Sequence, residues 1–180
     1  MNSMTEPNTT RQTQIANAAE EELDLVGAKI LLVDDNQQNL ELMQAYLESL
    51  PCKLATARDG SQAYQSILDD PPDLVLLDVM MPRMSGFELC QKVKSSPSTR
   101  DVVIIMVTAL HEVGDFERAV ECGTDDFLTK PVNKLELLTR VRSLLRVRLL
   151  KKKLDQLSLK QRSSPDDRDS PSAAHKLDDT

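Results

Sequence analysis

Five polar side chains follow directly on short apolar runs, and their types are those of phosphoryl chemistry. Asp34 and Asp35 come after KILLV (29–33), Asp78 after DLVLL (73–77), Thr108 after VVIIMV (102–107), and Lys130, with Pro131 behind it, after DFLT (126–129). Three carboxylates within a few ångströms repel unless a cation or a cationic side chain sits among them. An oxygen-only ligand set suits Mg²⁺, which keeps several waters and is usually completed by a substrate phosphate. Lys130 would then supply positive charge to phosphate oxygens, and Thr108 a hydrogen bond. Taken singly, each residue has a plainer role. Asp34 and Asp35 could cap a helix, Asp78 could form a turn, Thr108 could fill a strand and Lys130 could be a solvated lysine. Their joint occurrence favours the site.

Such a site needs all five at one edge, and the alternation of the chain provides one. Short aliphatic runs at Lys29–Val33, Lys53–Ala57, Leu74–Leu77, Val102–Val107 and Asp126–Thr129 are followed by stretches with helical spacing. Leu40, Met43, Leu47 and Leu50 mark the first of these, Ala63 and Ile67 the second, Leu89 and Val93 the third, and Phe116, Ala119 and Val120 the fourth. Strands apolar on both faces that alternate with helices make βαβ units and a parallel sheet covered on both sides. The pattern predicts an α/β fold, a doubly wound five-stranded parallel sheet with five helices, the last one extended. In that architecture functional groups gather at the carboxyl ends of the strands.

These residues also resemble a family. Asp34-Asp35, DLVLLDVMMPRMSG (73–86), IIMVTA (104–109) and GTDDFLTKP (123–131) together are similar to the receiver (CheY-like, flavodoxin-like) domain of two-component response regulators, over about residues 28–148. The resemblance implies that Asp78 is phosphorylated by a sensor histidine kinase or a histidine phosphotransfer protein. It implies that Asp34, Asp35 and Asp78 hold Mg²⁺, with Asp35 and Asp78 as direct side-chain ligands and the Met80 backbone carbonyl as a third. Thr108 and Lys130 would touch the phosphoryl oxygens, Lys130-Pro131 would be a cis peptide, and Phe127 would be an aromatic switch that swings inward when Thr108 is drawn to the phosphoryl group. Without the resemblance, Phe127 reads as an aromatic at a strand edge. The protein is then a switch and not an enzyme, with only self-directed phosphoryl chemistry.

Other uses of the same residues fit less well. A phosphohydrolase of the haloacid-dehalogenase type would place a second Asp two residues after the nucleophile, where this chain has Met80. The glycines at 27, 60, 86, 114 and 123 form neither nucleotide-binding glycine motif. A receiver that has lost phosphorylation would lack one of the five groups, and all are here.

Composition narrows the rest. With 40% hydrophobic residues and three Phe, two Tyr and no Trp, the core must be built from Leu, Val and Ile. The longest apolar run, Val102–Val107, falls far short of the ~20 residues a membrane span needs. No apolar segment of a signal peptide occurs in residues 1–27, and Cys52, Cys90 and Cys122 are widely spaced, which points to reduced thiols and a cytoplasmic setting. His111 and His175 are too far apart to form a metal cluster.

Charge is segregated. Residues 1–27, read as a flexible arm, carry one Arg against five acids; residues 140–162 carry nine Lys and Arg against Asp155 alone. The segment 163–180 has the Ser, Pro and Asp content of a disordered tail. Between Asn133 and Pro165 neither Pro nor Gly interrupts a helix, so the last helix should overrun the body, with 149–162 as an extension. Val147, Leu150, Leu154 and Leu157 form a 3-4-3 stripe, fit for a dimer stalk or a partner helix. Basic side chains flank it, yet no aromatics interleave with them, which argues against nucleic acid. The expectation is a stand-alone receiver that dimerises through its fourth helix, fifth strand and last helix, a face to which Arg118, Asp126, Glu136 and Arg140 offer charges. The alternative is an adaptor whose last helix binds a partner whatever the state of Asp78.

Overall fold

The structure, a computed structural model, describes residues 25–109, 117–118 and 120–162. The arm up to residue 24, the tail from 163, and most of the helix expected around Phe116 and Ala119 lie outside the described residues. The elements run β1 (Lys29–Val33), α1 (Gln37–Leu47), β2 (Lys53–Ala57), α2 (Gly60–Asp69), β3 (Leu74–Asp78), α3 (Gly86–Ser95), β4 (Val103–Thr108), β5 (Asp126–Thr129) and α4 (Lys134–Arg162). Five helices were expected. Four are complete among the described residues, and of the one before β5 only Glu117, Arg118, Val120 and Glu121 are described, as helix.

The five strands are all parallel, in the order β2-β1-β3-β4-β5. This is the doubly wound, flavodoxin-like arrangement. Because side chains alternate along a strand, each apolar run feeds two layers. Leu31, Val33, Val75, Leu77, Ile104 and Met106 face α2 and α3, where Ala63, Ile67, Leu89 and Val93 meet them. Ile30, Leu32, Leu74, Leu76, Ile105 and Val107 face α1 and α4, where Leu40, Met43, Leu47, Leu137, Val141 and Leu145 close the second layer. Each of the larger side chains, Val, Leu, Ile or Met, contributes roughly 1.5–3 kcal/mol when fully buried.

Local chemistry sets where the helices begin. The Asn36 side chain caps α1 by accepting from the Gln38 N–H at 2.9 Å, and Asp59 caps α2 through the Gln62 N–H. Ser85 and Glu88 form a reciprocal capping box at α3. With Asn36 as the cap, Asp34 and Asp35 are left for other work.

Two expected boundaries move. The body starts before residue 28, because Leu25 is fully buried in the layer beneath α1 and α4 and its carbonyl accepts from the Ala28 N–H at 3.1 Å. At the other end, α4 does not leave the body at residue 148. Leu149 still packs on the core, Lys151 pairs with Asp101 at 2.6 Å, and Lys152 reaches Asp73 at 3.0 Å. Asp73 is buried and also accepts from the Lys29 N–H at 3.1 Å. Beyond Lys152, residues 153–160 are exposed. No helix among the described residues is long and apolar enough to cross a membrane.

Lys152 thus serves a carboxylate that water cannot reach, although the lysine itself is half exposed. Lys152→Met should lower unfolding stability by about 1 kcal/mol, a value discounted for that exposure, as read from urea denaturation. An unchanged midpoint would mean that the Lys29 N–H alone satisfies Asp73.

Candidate functional site

In a parallel sheet every strand delivers its carboxyl end to the same edge. Register sets Val33 beside Leu77, Asp78 beside Val107 and Thr108 beside Thr129, so the residues that follow or end these strands become neighbours. The chain winds from β1 outward to β2 and from β3 outward the other way through β4 to β5. Asp34 and Asp78 therefore flank the crevice at the switch point, where doubly wound sheets take ligands.

Oxygens of Asp34, Asp35 and Asp78 all lie within 4.8 Å of one another. Asp34 is fully buried, Asp78 is 4% exposed, and Asp35 faces solvent. At that spacing two carboxylates repel by roughly 3 kcal/mol for an effective dielectric of about 20. Lys130 answers the repulsion, with its Nζ 3.0 Å from Asp34 Oδ2 and 2.9 Å from Asp78 Oδ1. One ammonium among three carboxylates leaves the cluster at −2 when all are charged. An oxygen-only, half-open donor set with excess negative charge fits Mg²⁺.

Protonation follows the same balance. Burial pushes the Asp78 carboxyl up, the Lys130 ammonium pulls it partly back, and the Asp34 charge adds to the rise; the net shift is upward. The Met80 N–H, bonded to the Asp78 carboxylate, also pulls it down. For Lys130, burial alone would lower the ammonium, but its bonds to Asp78 and Asp34 outweigh that and raise it. Lys130 therefore stays a cation.

Thr108 ends β4 and is 7% exposed, and its carbonyl accepts from the Lys130 N–H at 2.8 Å, which ties the ends of β4 and β5 together. The Lys130-Pro131 peptide is cis. Phe127 lies beside Met106 in register and is 36% exposed. The side chain of Met80 points to solvent at 63% exposure. Val147, Leu150, Leu154 and Leu157 are not part of this cluster, since they lie on α4 to either side of Lys152, which meets Asp73 at the opposite edge of the sheet. Arg140 of α4 holds both oxygens of Asp126 at 2.8 and 2.7 Å and one of Glu136 at 2.9 Å. Arg118 stacks over the Phe87 ring at 4.9 Å. The charges expected to serve a dimer face are thus engaged within the chain.

Two further residues shape the site and escaped the sequence reading. Asn39, in the first turn of α1, donates to Oδ1 and Oδ2 of Asp34 at 3.1 and 3.0 Å, while the Asn36 N–H donates to Oδ1 at 2.8 Å. The buried carboxylate is thereby fixed in orientation. Gly86 packs against Asp78 so closely that a Cβ there would sit 2.3 Å from the Asp78 carbonyl oxygen and 2.9 Å from Val79 Cα. The signal for Gly86 was its place at the end of the MMPRMSG loop; for Asn39 it was the spacing of five residues from Asp34. Gly86→Ala meets backbone, which cannot swing away. It should cost about 1–3 kcal/mol in urea denaturation and should displace Asp78. Unaltered stability would show that the loop yields freely.

The model of the response regulator receiver domain matches residues 30–142. Among curated proteins, the response regulator PleD of Caulobacter vibrioides is 42% identical over 138 residues, covering 77% of this chain and 30% of that protein. The phosphate regulon transcriptional regulatory protein PhoB of Pseudomonas aeruginosa is 39% identical over 122 residues, covering 68% of this chain and 53% of that protein. This chain therefore spans only a third to a half of those relatives. Among solved structures, the signal receiver domain of a histidine kinase from Syntrophus aciditrophicus is similar at a TM-score of 0.63 and 35% identity, covering 66% of this chain and 90% of that one. The receiver domain of sensor histidine kinase PA1611 from Pseudomonas aeruginosa, described with a magnesium ion coordinated in its active-site cleft, gives a TM-score of 0.62 at 32% identity over 67% of this chain and 98% of that one.

Proposed function

The chain belongs to the receiver-domain family of response regulators, and from that membership we propose that it accepts a phosphoryl group on Asp78 and signals by changing its protein contacts. The observation that carries this reading is Lys130 bridging Asp34 and Asp78 at 3.0 and 2.9 Å. It sets a nucleophilic carboxylate, a cation and spare acidic ligands at one strand edge.

The donor would be a phosphohistidine on a sensor kinase or phosphotransfer protein, met in the cytoplasm. An Asp78 carboxylate oxygen forms a bond to phosphorus, and the bond from phosphorus to the imidazole nitrogen breaks, its electron pair leaving with the imidazole. The protein's part is positioning and charge. Asp34 is held by Asn39 and Asn36 and keeps Lys130 within reach of the incoming phosphoryl oxygens. The Thr108 hydroxyl, at the adjacent strand end, takes another of those oxygens. Asp34, Asp35, Asp78 and the Met80 carbonyl would hold Mg²⁺, which when bound supplies positive charge to the phosphoryl oxygens. The product carries about −1.5 to −2 charge where one carboxylate stood. Thr108 drawn toward that charge vacates space on the Phe127 side of β5, and Phe127 turning inward alters the face made by the helix before β5, β5 and α4. On that face we place phosphorylation-dependent dimerisation, with exchange of the Arg140, Asp126 and Glu136 pairs between copies.

The exposed stripe on α4 favours a second reading, in which this helix binds a partner whatever the state of Asp78. Both are tested by incubating the protein with Mg²⁺ and acetyl phosphate, then measuring intact mass and elution from a sizing column. One added phosphoryl group mapped to Asp78, with a shift to dimer, supports the switch. A folded protein that gains no mass would overturn it in favour of the adaptor.

A further inference from the structure

We propose that the acidic end of the N-terminal arm, residues 14–24, covers the apolar stripe of α4 in the same molecule. Val147, Leu150, Leu154 and Leu157 are 57–66% exposed along one line of the helix, so some apolar surface belongs against them. A second copy of the helix is poorly suited. Arg146, Lys153 and Lys160 flank the stripe on one side and Lys151 on the other. In a parallel pair those positions face one another across the seam, where opposite charges are needed. Here Arg146 would meet Lys151 of the second copy, cation against cation, Lys153 would meet Ser158, and Asp155, the only acid in residues 140–162, lies at neither flanking position. The fitting cover is an acidic segment with its own apolar line.

The chain has one nearby. Residues 14–24 read QIANAAEEELD, with Ile15, Ala19 and Leu23 at helical i, i+4 and i+8 spacing and with Glu20, Glu21, Glu22 and Asp24 beside them. Their point of attachment is fixed by the structure. Leu25 is fully buried in the apolar layer against which Leu149 packs. Asp73 then joins the start of β1 to α4, with one carboxylate oxygen on the Lys29 N–H at 3.1 Å and the other on Lys152 Nζ at 3.0 Å. The arm thus leaves the body at the edge over which α4 passes, a few residues from where the helix becomes exposed. From Lys152 to Leu157 is about 7.5 Å of helix, and ten residues cover that distance even when helical, at about 1.5 Å each. Tethering at Leu25 gives the arm an effective concentration on the order of millimolar, which no free partner matches unless it binds tightly.

The test uses the full chain at micromolar concentration and needs no phosphoryl donor, so its failure is distinct from failure of the switch at Asp78. Zero-length carbodiimide coupling should join Glu20, Glu21 or Glu22 to Lys153 or Lys160 within one chain. Coupling should fade in high salt, where exposed charges are screened. The triple variant Glu20→Gln, Glu21→Gln, Glu22→Gln should also be cut by trypsin at Lys151–Lys153 several-fold faster than the parent. Glu→Gln keeps the size and the helix propensity of each side chain, so the variant's melting temperature should hold. Mixing isotope-labelled and unlabelled protein identifies the occupant. Crosslinks between heavy and light chains would overturn the proposal in favour of a second copy. No arm-to-helix crosslink, or equal trypsin rates for both proteins, would overturn it outright.

Discussion

Asp78→Asn is expected to take up no phosphoryl group from acetyl phosphate in the presence of Mg²⁺, while remaining folded. An amide keeps the shape of the carboxylate but offers no anionic oxygen to phosphorus. The fold should not suffer. Burial already disfavours the Asp78 charge, and Asp34 adds to the repulsion. With Asp78 neutral, Lys130 keeps its 3.0 Å partner in Asp34, and the ammonium then faces one buried carboxylate in place of two. The melting temperature should hold or rise, and the stabilisation brought by Mg²⁺ should shrink for want of one ligand. Intact mass and thermal melts on the same samples decide the matter. A phosphoryl group found on another residue of the variant would remove Asp78 from its role.

Lys130→Met should separate metal binding from chemistry. Loss of one preorganised donor to a developing oxyanion costs about 10²–10³ in rate, and that is the slowing expected for phosphoryl uptake. Metal binding should strengthen, because removing the ammonium takes the cluster of Lys130 with Asp34, Asp35 and Asp78 from −2 to −3. Asp34 would keep its bonds from Asn39 and Asn36. Asp78 would lose the partner that pulls its carboxyl down, so without Mg²⁺ its titration, followed by carboxyl NMR, should move to higher pH. Rapid-quench uptake and Mg²⁺ titration are the measurements. Weaker Mg²⁺ binding with unchanged uptake would contradict this account of Lys130.

The sequence displayed the frame of this site better than its fittings. Lys53–Ala57 and Asp126–Thr129 are strands over the spans their aliphatic runs predict, because turn-forming neighbours bound them on both sides. β3 runs one residue further than its apolar run, through Asp78, and β4 through Thr108. A polar residue at the end of a strand still pairs as strand, and hydrophobicity does not report it. Asn39 went unseen because an amide one turn into a helix has no periodic signature; only folding brings it to Asp34. Gly86 went unseen for a related reason, since the close approach of α3 to the Asp78 carbonyl is a property of two elements. The pairing of Arg140 with Asp126 was out of reach as well. Each was visible as a charge, but which charges meet depends on how α4 lies along β5.

That pairing has a mechanical consequence. Arg140 clamps α4 to β5 near one end of an uninterrupted helix, and Lys152 fastens it to Asp73 twelve residues on, about 18 Å away at 1.5 Å per residue. Such a helix is a lever with a pivot and a catch. A tilt of about 5° at Arg140 displaces Lys160 by close to 3 Å and Lys152 by roughly 1.5 Å, taking the helix as rigid at that rise per residue. The second figure is enough to part an ion pair that sits at 3.0 Å. A tilt that started at β5 would therefore have to part Lys152 from Asp73 and Lys151 from Asp101, and shift Leu149 on the core, before it arrived magnified at the far tip.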